Sequence, residues 1–501
     1  MNQAPVVSQP VMAVARPDSK GGVAIALALL VVLTGFGFYR GARFDLLGNT
    51  LVYYVITYGD GLIRRGLVGQ LLSWSVNPED LTDARVTVTS VYLGLQALLY
   101  VGLFGWVWVL ERRRRDYVMF AMFAVFLSSQ FVPTLAFDVG FLDIFDCLLL
   151  LVAAFGLARD RPIWALIAGL AGPFIHESFI IVWLTIAIVA LWERVSVGRI
   201  AVLASPILSG VILSLAASTS AVSSQLSASA IPGHEATEAV LWHFGQSAVA
   251  NFEIMMWKFR YNAVNVLLAS LICLPPAFIM VVAYGCVRKS WRDFVVIAAA
   301  TVAPLSILLV AWDLTRFLAW TSFAALVTIA YCESVRPAES LPMRWPALAC
   351  AAAAAIFVQV PFVYGYFEGA GVADRLSTVR EMPIGRVVAA TIQFYNRNIG
   401  PKVVTAMGDE PPPGEIWYVE EGGWRGGWIR RAGTKRFDAI MTMGRSVTGY
   451  TADVERRGDL IIVRRYPDLD PSVRMDYSGT LKDGVINGIF PGGPWRAEIR
   501  Q

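Results

Sequence analysis

The sequence predicts an all-α polytopic membrane bundle of about eleven transmembrane helices, followed by a small C-terminal α+β or mostly-β extracytoplasmic domain. Three observations predict it. The chain is 56% hydrophobic and only 16% charged, with a mean hydropathy of +0.56, whereas a soluble globular chain is about 25% charged. Apolar runs of roughly 18 residues recur along most of the length, and each is long enough to cross a bilayer as a helix. From Tyr364 onward no such run occurs, and short alternating segments between Gly, Pro and Asp replace it. The net charge of +4 is small for 501 residues and no basic stripe stands out, so no nucleic-acid partner is expected.

Residues 1–21 are polar and carry Pro5, Pro10 and Pro17, which reads as a disordered cytoplasmic tail. The run Val23–Phe38 is not followed by a small-residue cleavage pattern, so it reads as a retained first span. The membrane region covers 22–363, with spans expected at 22–39, 87–110, 117–135, 140–157, 162–175, 177–193, 199–218, 263–286, 294–312, 317–333 and 345–363. Loops rich in Arg, at 112–115, 159–161, 194–199, 288–292 and 336–344, alternate as cytoplasmic. Arg16 and Lys20 then put the N-terminus inside, and an odd count puts residues 364–501 outside, in the periplasm of a bacterial inner-membrane protein.

Between the first two spans lies "TYGDGLIRRGLVGQLLSW". Its halves, 46–58 and 62–76, are too short to cross comfortably, and their Trp and Tyr suit an interface. They are expected as two outer-surface helices broken at Gly59–Gly61; a hairpin across the bilayer, with Arg64 and Arg65 in a cytoplasmic turn, is the alternative. The same outer rim collects Asp138, Asp143 and Asp146 at the start of the fourth span, His176 and Glu177 in "GPFIHESF", and Asp313 and Arg316 in "WDLTRFLAW". His234 and His243 fall in the long outer loop 219–262. Each feature also has a structural reading: headgroup contacts for the arginines, helix caps for the aspartates, a polar hairpin tip for His176–Glu177, an i,i+3 ion pair for Asp313–Arg316, and plain solvation for the loop histidines.

Convergence on one rim favours chemistry. Arginine forks bind phosphate and stay charged. A carboxylate or a His/Glu pair beside them can take a proton from an attacking sugar hydroxyl, and arginine can stabilise the departing phosphate. These parts suit a transferase using a polyprenyl-linked sugar donor and a glycan or lipid acceptor within the membrane lipids. The layout resembles GT-C-type membrane glycosyltransferases, and "DGLIRRGLVG", "IHESF" and "WDLTRFLAW" are similar to segments of bacterial O-antigen and exopolysaccharide polymerases. The resemblance covers residues 22–363. It implies phosphate-binding roles for Arg64, Arg65 and Arg316, and general-base or acceptor-positioning roles for Asp60, His176 or Glu177; Asp313 joins the catalytic candidates by position. Those polymerases usually carry their large soluble part between spans, unlike this chain.

The C-terminal part reads as an amphipathic helix at 374–397 and then strands such as "EIWYVEE", "FDAIMTM" and "DLIIVRRY". Trp417, Trp424 and Trp428 are candidates for stacking on sugars, or else core residues. All five cysteines lie in or beside spans, so the outer domain has no disulfide framework. No cofactor is certain; Asp143 and Asp146 offer oxygen ligands to Mg²⁺ or Mn²⁺. A secondary transporter or lipid-linked saccharide flippase is the competing class, with midplane charges and matching halves as its usual marks; a scaffold anchoring the outer domain is a third.

Overall fold

The computed structural model describes residues 20–41, 52–55, 58, 65–75, 81–114, 117–216, 266–267, 269–309, 314–336, 344–362, 384, 386–387, 390, 416–430, 436–443, 446–467, 475–490 and 493–500. Asp60, Arg64, Asp313, His234, His243, the polar tail before Lys20, the 59–61 break, the 219–262 loop and nearly all of the 374–397 helix lie outside the described residues.

The N-terminal part is helical. In chain order it contains α1 (Lys20–Gly41), α2 (Val52–Val55), α3 (Gly66–Leu72), α4 (Leu81–Arg114), α5 (Val118–Ser128), α6 (Phe131–Phe137), α7 (Asp143–Ala158), α8 (Pro162–Ile175), α9 (Phe179–Val182), α10 (Leu184–Glu193), α11 (Val197–Leu203) and α12 (Ser205–Ala216). Further along the chain come α13 (Pro275–Arg288), α14 (Trp291–Val302) with a 3-10 extension over Ala303–Leu309, α15 (Leu314–Val335) and α16 (Arg344–Phe357). The central element is α15. Almost its whole length is buried, 89% of its most apolar window, and its charged residues Arg316 and Glu333 stand near its two ends.

The expected eleven spans are not found. Among the described residues three helical stretches are long and apolar enough to cross a membrane: Asp83–Arg114, Trp291–Leu309 and Leu314–Val335. The number rises to five if each of two bent pairs counts as one span. The physical reason is that a hydropathy window counts apolar residues and reads through helix breaks. The segment expected at 117–135 is α5 and α6, bent by 44° at a Ser129–Gln130 break just before Pro133; that at 199–218 is α11 and α12, bent by 40° just before Pro206. Proline is tolerated in a first helical turn and not in an interior, so each marks a restart. Other expected spans are short: α8 has 14 residues, roughly 21 Å against the ~30 Å of a hydrocarbon core. Placing residues 364–501 outside on an odd span count loses its basis with the count.

At 46–76 the described pieces are α2, with 4 residues, and α3, with 7. Tyr53, Tyr54 and Val68 are buried against the bundle rather than laid on a surface.

One end of the bundle carries the C-termini of α4, α13 and α15. There Glu333 sits between Arg114 (Nη1–Oε2 2.9 Å) and Arg288 (Nη2–Oε1 2.5 Å). Arg336 pairs with Glu193, and with Asp293 at 2.6 Å. These are arginines of the loops expected as cytoplasmic.

The C-terminal part, expected as α+β or mostly-β, is a closed eight-stranded antiparallel barrel among the described residues. Its strands are β1 (Ile416–Glu421), β2 (Trp424–Arg430), β3 (Arg436–Met443), β4 (Ser446–Arg457), β5 (Leu460–Pro467), β6 (Met475–Lys482), β7 (Val485–Phe490) and β8 (Gly493–Arg500), each paired with the next, and β8 with β1. Two-residue turns at Gly422–Gly423 and Asp483–Gly484 have positive φ at both positions, as tight hairpins with right-twisted strands require. Eight strands leave room inside for side chains and little else. That interior is filled by Trp417, Trp428 and Trp495, stacked in sequence at 6.0 and 5.9 Å. Trp417 and Trp428 are therefore core, not a sugar platform, and Trp424 packs partly buried against the same core.

Candidate functional site

The site is built where α7 begins, α8 ends and α15 begins. Helix α8 contains Pro173 and stops at Ile175. His176 is extended (φ −153°, ψ 123°), and its backbone N–H donates to Gly172 O at 2.8 Å. A Cβ on Gly172 would lie 2.0 Å from the Phe179 ring. Only glycine lets Phe179 fold back so closely, and that return places residues 176–178 over the first turn of α7.

There the imidazole meets a buried carboxylate. His176 Nδ1 is 2.9 Å from Asp146 Oδ2. The Ser178 hydroxyl donates to the same oxygen at 3.0 Å and lies 2.5 Å from His176 Nδ1. With Nδ1–H donating to the carboxylate, Nε2 is the basic nitrogen. Nε2 has no hydrogen bond among the described residues, and the His176 side chain is 12% exposed while that of Asp146 is fully buried. The dyad thus leaves its basic atom without a hydrogen bond among the described residues. Asp143 and Asp146 both lie in the first turn of α7, where the helix dipole favours negative charge. The Oδ1 atoms of both are buried without a hydrogen bond among the described residues.

Two arginines flank the dyad. Arg316, at the start of α15, donates from Nη1 to Asp143 Oδ2 at 3.1 Å and lies 4.5 Å from the Phe141 ring centre. Arg65 donates to Glu177 through Nε, at 2.9 Å, and through Nη2, and stacks 5.3 Å over Tyr53. Its backbone is left-handed, φ 61°, which costs a non-glycine residue about 1–2 kcal/mol. Burial pushes the Glu177 carboxyl up, but the adjacent Arg65 guanidinium outweighs it and holds Glu177 well below the usual carboxylate range. Asp138 is buried at the end of α6, and Tyr92 lies within electrostatic reach of both Asp138 and Asp143.

Of the residues singled out in the sequence, Arg65, Asp143, Asp146, His176, Glu177 and Arg316 are drawn together by these contacts. Asp60, Arg64 and Asp313 lie outside the described residues; among the described residues Arg316 pairs with Asp143, 173 positions away. Glu177, forked by Arg65 and held strongly acidic, is a poor proton acceptor, whereas His176 Nε2 has no hydrogen bond among the described residues. Ser178 was not legible beforehand; its signal is a hydroxyl two residues after the histidine in "HES". Among the described residues no three His, Cys, Asp or Glu side chains lie close enough to share a metal ion; Asp143 and Asp146 are turned to Arg316 and to His176 instead. No known protein family, characterised protein or solved structure matches this chain.

Proposed function

We propose that this chain is a membrane glycosyltransferase that moves a sugar from a polyprenyl phosphate or pyrophosphate to a hydroxyl of a glycan or lipid acceptor. The observation that carries the reading is the His176–Asp146 dyad, its Nε2 unengaged and two arginines beside it. In the reaction the acceptor oxygen attacks the anomeric carbon and its proton passes to His176 Nε2. The bond from that carbon to the phosphate oxygen breaks, and the phosphate leaves with the electron pair. Asp146 holds the imidazole in the basic tautomer and steadies the cation it becomes. Arg65 and Arg316 supply positive potential for the leaving phosphate. The reading keeps the chemistry that the polymerase-like segments imply and not their span count. The Arg-rich end is assigned to the cytoplasm by its Lys/Arg excess, and the His176 rim to the outer face of a bacterial inner membrane.

The test is a strain lacking the gene, complemented by wild type, His176→Gln or Arg65→Ala, with lipid-linked saccharides and surface glycans sized by mass spectrometry. A positioned base contributes about 10²–10⁴-fold, so His176→Gln is expected to insert normally while the glycan is lost and its lipid-linked precursor collects on the outer face. Precursor trapped on the inner face would make the chain a flippase. Full rescue by both variants would remove the transfer chemistry from this rim.

A further inference from the structure

At the opposite end of the bundle, a cavity of about 80 Å³ opens between α4, α7 and α15, lined by Trp106, Val109, Arg113, Ala158, Arg159 and Ser334 among others. One water needs about 10–15 Å³ on this measure, so the space suits a group the size of a phosphate. Its walls are fixed: Trp106 Nε1 donates to Ser334 Oγ at 2.8 Å, and the Trp106 ring meets Phe155 edge-on at 5.8 Å.

The acids near this cavity are committed elsewhere. Glu333 faces Arg114 and Arg288. Glu111 accepts from the backbone N–H groups of Tyr117 and Met119. Asp160 faces Arg199 at 3.6 Å. Arg113 and Arg159 are left without an acidic partner among the described residues, and the Arg159 guanidinium lies 4.8 Å over the Phe155 ring. Each arginine also stands one helical turn beyond an exposed apolar residue, Val109 on α4 and Phe155 on α7; Val101 and Val152 are exposed further along the same helices. An apolar lane thus ends in two cations beside a small polar-mouthed cavity.

We infer that this cavity binds the phosphate of an anionic phospholipid, with Arg113 and Arg159 as its ligands and an acyl chain along the exposed apolar faces of α4 and α7. Inorganic phosphate shares the headgroup chemistry but has nothing to lay in that lane. Basic pockets between membrane helices are suited to anionic headgroups. The inference rests on the apolar helices and the unclaimed charges, not on the transferase reading, and its test reads lipid rather than activity.

Purified full-length protein would be loaded with phosphatidylglycerol or phosphatidylcholine and weighed intact by native mass spectrometry. Each basic residue near an anionic headgroup contributes about 1 kcal/mol, so the double variant Arg113→Gln/Arg159→Gln is expected to hold phosphatidylglycerol about 30-fold more weakly. The Arg113→Lys/Arg159→Lys variant should retain part of it. Arg161→Gln, an exposed charge at the same end that does not line the cavity, should retain all of it. Equal binding by the double Gln variant, equal binding of phosphatidylcholine, or displacement of the lipid by excess inorganic phosphate would each overturn the assignment.

Discussion

Helix α15 carries an ionic cluster at each end, about 25 Å apart at ~1.5 Å per residue from Arg316 to Glu333. The two are built to different ends. The Glu333 cluster is balanced: Arg114, Arg288 and Arg336 face Glu333, Glu193 and Asp293, and every side chain is less than 20% exposed. The His176 cluster is not. Asp143, Asp146 and Glu177 gather around Arg65, Arg316 and His176, the Oδ1 atoms of Asp143 and Asp146 are buried without a hydrogen bond among the described residues, and Nε2 of the imidazole has none either. Balanced buried charge ties helix ends together. Surplus buried acceptors beside an open base keep capacity in reserve, and that is the arrangement a reaction needs.

The sharpest way to break this contrast is Glu333→Gln. It leaves Arg114 and Arg288, whose side chains are 3% and 5% exposed, facing a neutral amide. Removing one member of a buried pair costs about 3–5 kcal/mol. Thermal unfolding in detergent is expected to show that loss, while turnover per folded molecule stays at the wild-type level. A stable Glu333→Gln protein without turnover would mean that the balanced cluster is the working one.

How far the sequence foretold either cluster follows from the kind of information each needed. Uncommon polar residues in an apolar chain are conspicuous, so Asp143, Asp146, His176, Glu177, Arg65 and Arg316 were found by type alone. Their pairing was not, because the partner found for Arg316 among the described residues, Asp143, is on another helix, 173 positions away. The Gly172–Phe179 approach that swings His176 over α7 is a matter of shape, invisible to hydropathy. Span number failed for a related reason: Pro133 and Pro206 were present as restart signals, but a window average erases them. In the barrel the alternation and the Gly-Gly and Asp-Gly turns were plain, whereas closure of β1 onto β8 is a long-range pairing that no local pattern states.

A second experiment sharpens the contrast through pH. Glu177 has its carboxyl lowered in the folded protein, so it contributes stability that is present above the ordinary carboxylate value, about 4.3, and is lost as pH falls through the lower folded value. Arg65→Gln removes the cause. The gap in thermal stability between wild type and Arg65→Gln is expected to be widest near neutral pH and to close in acid, below about pH 4. A gap that is constant across that range would mean that Arg65 acts through packing on Tyr53 and not through its charge.

The smallest expected effect separates two roles for Ser178. Its hydroxyl bonds Asp146 and lies against Nδ1 of His176, the same nitrogen that faces the carboxylate. A serine nucleophile would need to stand at Nε2, where the base could draw off its proton. Here the base's lone pair points away from it, so Ser178 positions the dyad. Ser178→Ala is therefore expected to lower kcat only a few-fold, in line with about 0.5–1.5 kcal/mol for one hydrogen bond, and to leave KM unchanged, since the hydroxyl is spent on Asp146 and His176. A loss as deep as that of His176→Gln, with a sugar trapped on the wild-type protein by mass spectrometry, would instead make Ser178 the attacking group and require the imidazole to turn over during the reaction.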